Sequence, residues 1–344
     1  MVADYITYAS ARATQADALE AAIARISEEV LRQQDAGGLR GPGPIFVGIG
    51  ASLAAASAPV WTLRSRGIHS WRLGAGDYPL PWPLSVHPIV GISQSGKSTE
   101  TLAVFESIAP ELRYAVVNTH PSPVSTLAAT TLSLGNIPDS YASTIGYTAT
   151  VTGLGMLAEA WDGGALDAGW QSLPELFRWT EQTVGARAAE LAATFAGRVT
   201  ADFVGAGPSV GSAEAGALLF REVARVHAAG MSTRQYLHGS MESAGGGVHV
   251  LFGEERELDA ARMLADAGHS VILITSLEVP EAERLQVVAL PSVAPNQRAI
   301  LEALVMQILV GEVATQAGVE IEEFVFFHTD TKVSDGTDTK VADG

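Results

Sequence analysis

The stretch GISQSGKSTETL, residues 91–102, concentrates groups that bind anions. Gly91, Gly96, Lys97 and Ser98 satisfy the phosphate-loop pattern G-x-x-x-x-G-K-[ST]. A nucleotide triphosphatase would also need a strand of apolar residues ending in Asp to hold Mg²⁺. The candidate strands end instead in Gly48, Gly91, Asn118, Gly205, Gly253 and Thr275. The strand FVGIGAS also precedes the loop, where a nucleotide-binding loop would usually follow the first strand. The chemistry of the loop outlasts that reading. Ile89–Ile92 reads as a buried strand, Ser93 to Gly96 as a turn, and Ser98 or Thr99 as the cap of a helix through Leu102 and Phe105. Successive hydroxyls, a glycine and free N–H groups at a helix start make a nest for a phosphate. The bland alternative is a serine-rich turn with a good cap.

Lysine is scarce. Of 21 basic residues only Lys97, Lys332 and Lys340 are lysines. A G+C-rich genome explains most of such a bias, yet a chain that otherwise uses arginine can keep lysine where a titratable amine is needed. Equally, the three are ordinary surface lysines. There is no cysteine, which excludes disulfides, thiolate zinc sites and a thiol nucleophile. The eight histidines show no metal-ligand spacing such as H-E-x-x-H, so neither metal nor cofactor is expected. A formal net charge of −17 argues against nucleic acid and anionic lipid as partners. It also requires any phosphate site to attract its ligand locally. Met1 to Glu20 does not read as a secretory signal, and no stretch reads as a membrane span, so a cytoplasmic protein is expected.

The elements that must position this loop repeat along the chain. F-V-G-x-G-x-S occurs at Phe46–Ser52 and again at Phe203–Ser209. HPIVGI (87–92) is echoed by VHVLFG (248–253), and YAVVNT (114–119) by SVILIT (270–275). Strands alternating with helical segments imply parallel sheets, and two such runs imply two related α/β domains. The predicted organisation is a helical segment at 1–36, a first domain at 37–167, a helical connector at 168–200, a second domain at 201–317 and a tail at 318–344. Leu19, Ile23, Ile26 and Val30 give the first helix its apolar face; Trp170, Leu173, Phe177, Trp179, Val184 and Leu191 do so in the connector. A helix over 213–228 is predicted to carry Glu222 and His227. The copies differ at the key turn, SQSGKST in the first and EERE (254–257) in the second, so one phosphate loop is expected.

The loop S-Q-S-G-x-[ST]-x-[ED]-T resembles the phosphosugar site of sugar isomerase (SIS) domains. The two-domain layout resembles the isomerase half of glucosamine-6-phosphate synthase and the aminosugar-phosphate deaminases, ketose isomerases and fructosamine deglycases related to it. The resemblance extends to G-x-x-x-[ST] at Gly48–Ser52, to A-S-T at Ala142–Thr144 with Tyr147 and Thr148, and to Glu222, His227, His238 and Gly239 in order. It implies two tandem SIS-type domains, each a mostly parallel sheet flanked by helices in a three-layer αβα arrangement. It implies that Ser93, Gln94, Ser95 and Ser98, with Ser52 nearby, bind the sugar phosphate. It implies catalytic roles for Glu222 as base and His238 in ring opening, with His238 reaching the site of a second subunit in a homodimer. It implies a tail lysine over the sugar, Lys332 with Lys340 in reserve, and places His328 where the synthases have arginine.

These residue types suit the reaction. Moving a carbonyl between C1 and C2 needs a partly buried carboxylate to carry a proton between carbons. Opening a hemiacetal suits histidine, and an amine stabilises an enediolate or forms a Schiff base. Each has a plain alternative: Glu222 on an exposed helix face, His227 as a packing residue, and either lysine merely solvated. Leu219 and Ile145 stand where the synthases have lysines, and Ser240 stands where they have proline after His-Gly. Without a cysteine nucleophile or a glutaminase segment, glutamine-dependent amide transfer is not expected. The expectation is an isomerase or deaminase acting on a hexose or aminohexose 6-phosphate. The competing class is a non-catalytic phosphosugar sensor, which needs the serine loop but not Glu222, His238 and a tail lysine.

Overall fold

The computed structural model describes residues 5–322, 325–326 and 330–333. Among the described residues, ten strands form two five-stranded parallel sheets. The first comprises β1 (Ile45–Gly48), β2 (Trp71–Gly74), β3 (Ile89–Ser93), β4 (Arg113–Val117) and β5 (Thr130–Ser133) in the order β2-β1-β3-β4-β5. The second comprises β6 (Thr200–Gly205), β7 (His227–Ser232), β8 (Val248–Phe252), β9 (Ser270–Thr275) and β10 (Leu285–Ala289) in the order β10-β9-β8-β6-β7. Taken from their own first strands, the two orders are the same. The registers repeat as well: Phe46 pairs with Val90 across β1 and β3, and Phe203 with Val250 across β6 and β8.

The helices are α1 (Tyr8–Asp35), α2 (Ala51–Ala55), α3 (Ser57–Ser65), α4 (Thr99–Glu106), α5 (Pro123–Leu127), α6 (Ile145–Ala160), α7 (Leu173–Gly185), α8 (Ala188–Ala193), α9 (Val210–Val223), α10 (Thr233–Leu237), α11 (Arg256–Asp266) and α12 (Pro295–Ala317). Successive strand residues point to opposite faces, so both faces of each sheet bury apolar side chains. Phe46, Val90, Phe203 and Val250 face one continuous core that runs between the sheets through α6 and α12. Val47 and Ile89 face a separate core under α4 and α5, and Val204 and Leu251 face another under α11. The result is two α/β units, each with helices on both faces of its sheet. Leu19, Ile23, Ile26 and Val30 bury the predicted face of α1, which lies along α6.

Four sequence expectations change. β2, β5, β7 and β10, the end strands of the two sheets, were not predicted; their sequences are short or polar, and pairing with an inner strand supplies what the local pattern lacks. The helix expected to reach residue 228 ends at Val223, Arg225 takes φ +57°, and His227 opens β7 opposite Thr200. His227 is therefore an exposed strand residue and not a helix-packing one. In the connector, Trp170, Leu173, Phe177, Val184 and Leu191 are buried, but Trp179 faces outward. Finally, α12 is long and apolar enough to cross a membrane, contrary to the sequence expectation, but 72% of its apolar window is buried inside the fold.

Candidate functional site

In an open parallel sheet, ligands bind beyond the carboxyl ends of the strands where the strand order reverses. In the first unit that place lies between β1 and β3. The chain leaves β3 at Ser93 and enters α4 through Ser98, whose Oγ caps the helix by accepting the Thr101 N–H. Gly96 makes the turn possible: its φ is +64°, and a Cβ there would lie 2.0 Å from the Ser122 hydroxyl. Ser52 enters from the other side, in the first turn of α2 behind Gly50 at φ +57°.

A pocket of about 490 Å³ opens at this reversal point. Its wall carries all five residues expected to bind phosphate, Ser52, Ser93, Gln94, Ser95 and Ser98, together with Lys97 and Glu100. The tail returns to the same place. The Val333 N–H donates to the Lys97 carbonyl at 3.0 Å, and the Thr99 N–H donates to the Thr331 carbonyl at 3.2 Å. Lys332 thus forms an antiparallel bridge with Ser98 and stands on the pocket rim, solvent-exposed. His328 and Lys340 lie outside the described residues.

Asp139 is the polar hub behind the pocket, and sequence reasoning missed it. It is 4% exposed. Its carboxylate accepts from the backbone N–H groups of Ser140, Thr144 and Gly146, from the hydroxyls of Ser143 and Thr144, and from Gln94 Nε2. Most of these donors open α6, where a negative charge also meets the positive end of the helix. The A-S-T motif is thereby explained: Ser143 and Thr144 bind the aspartate that orients Gln94. An aspartate a few residues before Ser-Thr and a helix was the available signal. Tyr5 and Tyr141, also missed, stack at 3.9 Å between ring centres on the pocket wall.

Glu222 stands elsewhere. It lies near the end of α9, half-buried, beside a smaller crevice of about 40 Å³ lined by Ala51, Ser143, Tyr147, Leu219 and Gln307 among others. Burial pushes its carboxyl above the usual glutamate value, and Arg225 opposes that only in part. The crevice adjoins the serine pocket, since Ala51 precedes Ser52 and Ser143 binds Asp139. Within one chain, however, the two do not form a single cavity. His238 is exposed at the end of α10, outside both cavities.

The chain shares its architecture with solved phosphosugar proteins. The C-terminal domain of glucosamine-fructose-6-phosphate aminotransferase from Francisella tularensis superposes with a TM-score of 0.79 at 16% identity, over 92% of this chain and 98% of that one. This is the fold of the sugar isomerase (SIS) proteins. Tagatose-6-phosphate ketose/aldose isomerase from Escherichia coli is similar at TM-score 0.74 and 15% identity, over 94% of this chain and 99% of that one. Glucosamine-6-phosphate deaminase from Thermotoga maritima is similar at TM-score 0.70 and 17% identity, over 92% and 96%. No protein-family model matches the sequence, and no curated protein matches it.

Proposed function

We propose that the chain is a phosphosugar isomerase or deaminase with two tandem SIS-type domains, acting at C1–C2 of a hexose or aminohexose 6-phosphate. One observation carries this reading: a single pocket at the strand-order reversal joins the serine loop, Ser52 and the tail lysine Lys332. The names of the structural neighbours, an isomerase, a deaminase and an aminotransferase of hexose 6-phosphates, support the same substrate class. In the proposed roles, Ser52, Ser93, Gln94, Ser95 and Ser98 hold the phosphate and fix the sugar chain. His238, supplied by a second copy in a cytoplasmic homodimer, assists ring opening. Glu222 takes the C2 proton of the open-chain aldose and delivers it to C1, while oxygen-bound protons rearrange through an enediol. With an amine on C2, the same transfer leaves a C2 imine, and water converts it to the ketone and ammonia. Lys332 stabilises the negative charge that develops on oxygen. The raised pKa of Glu222 suits a base that must also return its proton.

The separation of Glu222 from the serine pocket favours a second reading, a phosphosugar sensor that binds without turnover. Ammonia and ketose phosphate are assayed with the 6-phosphates of glucosamine, galactosamine, glucose and tagatose. Turnover of one substrate, reduced by Glu222→Gln at least ~100-fold while binding persists, is expected for the enzyme. Binding without turnover across the panel selects the sensor.

A further inference from the structure

We propose that a third cavity, in the second unit, binds a small hydroxylated organic ammonium, with Asp202 as its counter-charge. The site is separate from the serine pocket and does not depend on the phosphosugar reading. The cavity measures about 480 Å³ and lies toward the amino ends of β6, β7 and β8, against the segment 240–247. Residues two apart in a strand share a face, so Thr200 and Asp202 of β6 face it together, as do Ala229 and Met231 of β7. His249 of β8 completes that floor.

The strand register leaves the carboxylate open on one side. Asp202 stands between His249 and Ala229 on the neighbouring strands. Its side chain is 21% exposed although β6 is an inner strand, and the opening is this cavity. His249 is buried, with Nδ1 3.3 Å from Asp202 Oδ2. Its Nε2 donates to the Ala244 carbonyl at 3.0 Å, since a carbonyl can only accept. In the neutral ring Nδ1 then carries no hydrogen, and it accepts the Tyr236 hydroxyl at 3.0 Å. Neutral His249 thus gives Asp202 no hydrogen bond, and Ala229 gives it only a methyl. An ammonium in the cavity supplies both the charge and the donor.

The remaining wall selects the class of ligand. Ser240 and Ser243 supply oxygens that accept N–H and O–H donors, and Met231 and Ala229 supply apolar contact for carbon. No lysine or arginine is among the described residues that line the cavity, and the chain carries −17, so a cation is favoured over an anion. A metal ion needs several ligands, and no group of three His, Asp or Glu is placed to hold one among the described residues.

Isothermal titration of the full chain with glucosamine and ethanolamine, each against its neutral counterpart, glucose or ethylene glycol, tests the proposal. At least one amine is expected to bind 10-fold or more tighter than its counterpart. Asp202→Asn keeps the shape of the side chain and removes its charge. It is expected to lose about 10- to 100-fold in affinity for that amine, the worth of one charge-assisted hydrogen bond. Ala229→Leu, which fills the open flank, is expected to lose at least as much. The paired Ser93→Ala and Ser95→Ala changes are expected to leave amine affinity unchanged. Loss in the serine variant with none in Asp202→Asn assigns the amine to the serine pocket and overturns the proposal. Amines bound no tighter than their neutral counterparts, or not bound at all, overturn it without any variant.

Discussion

Glu222 shows how much one side chain owes to its surroundings. As the penultimate residue of α9 it would be a solvated glutamate if the helix stood alone. Against Ala51, Tyr147 and Gln307 it loses water, and its pKa rises above 4.5. The folded chain therefore holds this proton more tightly than the unfolded chain does. The resulting stabilisation is complete below the unfolded value and is lost as pH rises through the folded one. At neutral pH the ionised carboxylate works against the fold. Glu222→Gln is expected to match wild type in melting temperature below about pH 4.5 and to exceed it near neutrality, as thermal melts across pH would show. A constant difference across that range would mean that the burial of Glu222 does not disfavour its ionisation. In the sequence, FREVARVH gave the position of this residue but not its desolvation, because the covering side chains come from α2, α6 and α12.

At the scale of elements, the loop at 139–146 is where one residue organises many. Asp139 satisfies six donors, and they span the start of α6 and Gln94 of the serine loop. Asp139→Ala would leave several of these donors buried without a partner. We expect a loss of roughly 3 kcal/mol in stability, from the cost of unpaired buried groups, and a parallel loss of phosphosugar affinity as Gln94 is released. Chemical denaturation and titration would check both; unchanged affinity would separate Gln94 from the phosphate. The serine loop itself was legible in advance, since its strand, turn, glycine and cap follow one another within a dozen residues. Asp139 was not, because its partners lie as far away as Gln94 and its role is set by where α6 begins. β7 escaped for a related reason: its first residues, His227 and Ala228, read as the end of the helix over 213–228 until β6 offers them a ladder.

At the scale of the molecule, the two units share a topology but not a site. In the second unit the equivalent reversal point lies between β6 and β8. There Ser209, the serine of the second F-V-G-x-G-x-S, donates to the buried Glu302 at 2.8 Å. Ser212 donates to the same carboxylate. Arg298 joins Glu302 at 2.9 Å and Glu254, on the turn after β8, at 2.6 Å. Glu257, also buried, accepts the Glu255 N–H at that turn. The chain's own carboxylates thus occupy the place where the first unit offers hydroxyls to a ligand, and carboxylates there would repel a phosphate. One phosphosugar per chain is expected, and a titration giving two equivalent sites would show that the second crevice opens.

By itself the sequence determined the class of the fold, the duplication, the central strands and the inequality of the two loops. All of these rest on short-range patterns: apolar runs, turn residues and a repeated motif. Tertiary structure alone decided the outer strands, the hub at Asp139, the return of Lys332 to Ser98 and the burial of Lys97. It also placed Glu222 beside the serine pocket but not inside it. Those features depend on segments far apart in the chain coming into contact, and on the water they exclude when they meet. Neither is written in the spacing of neighbouring residues.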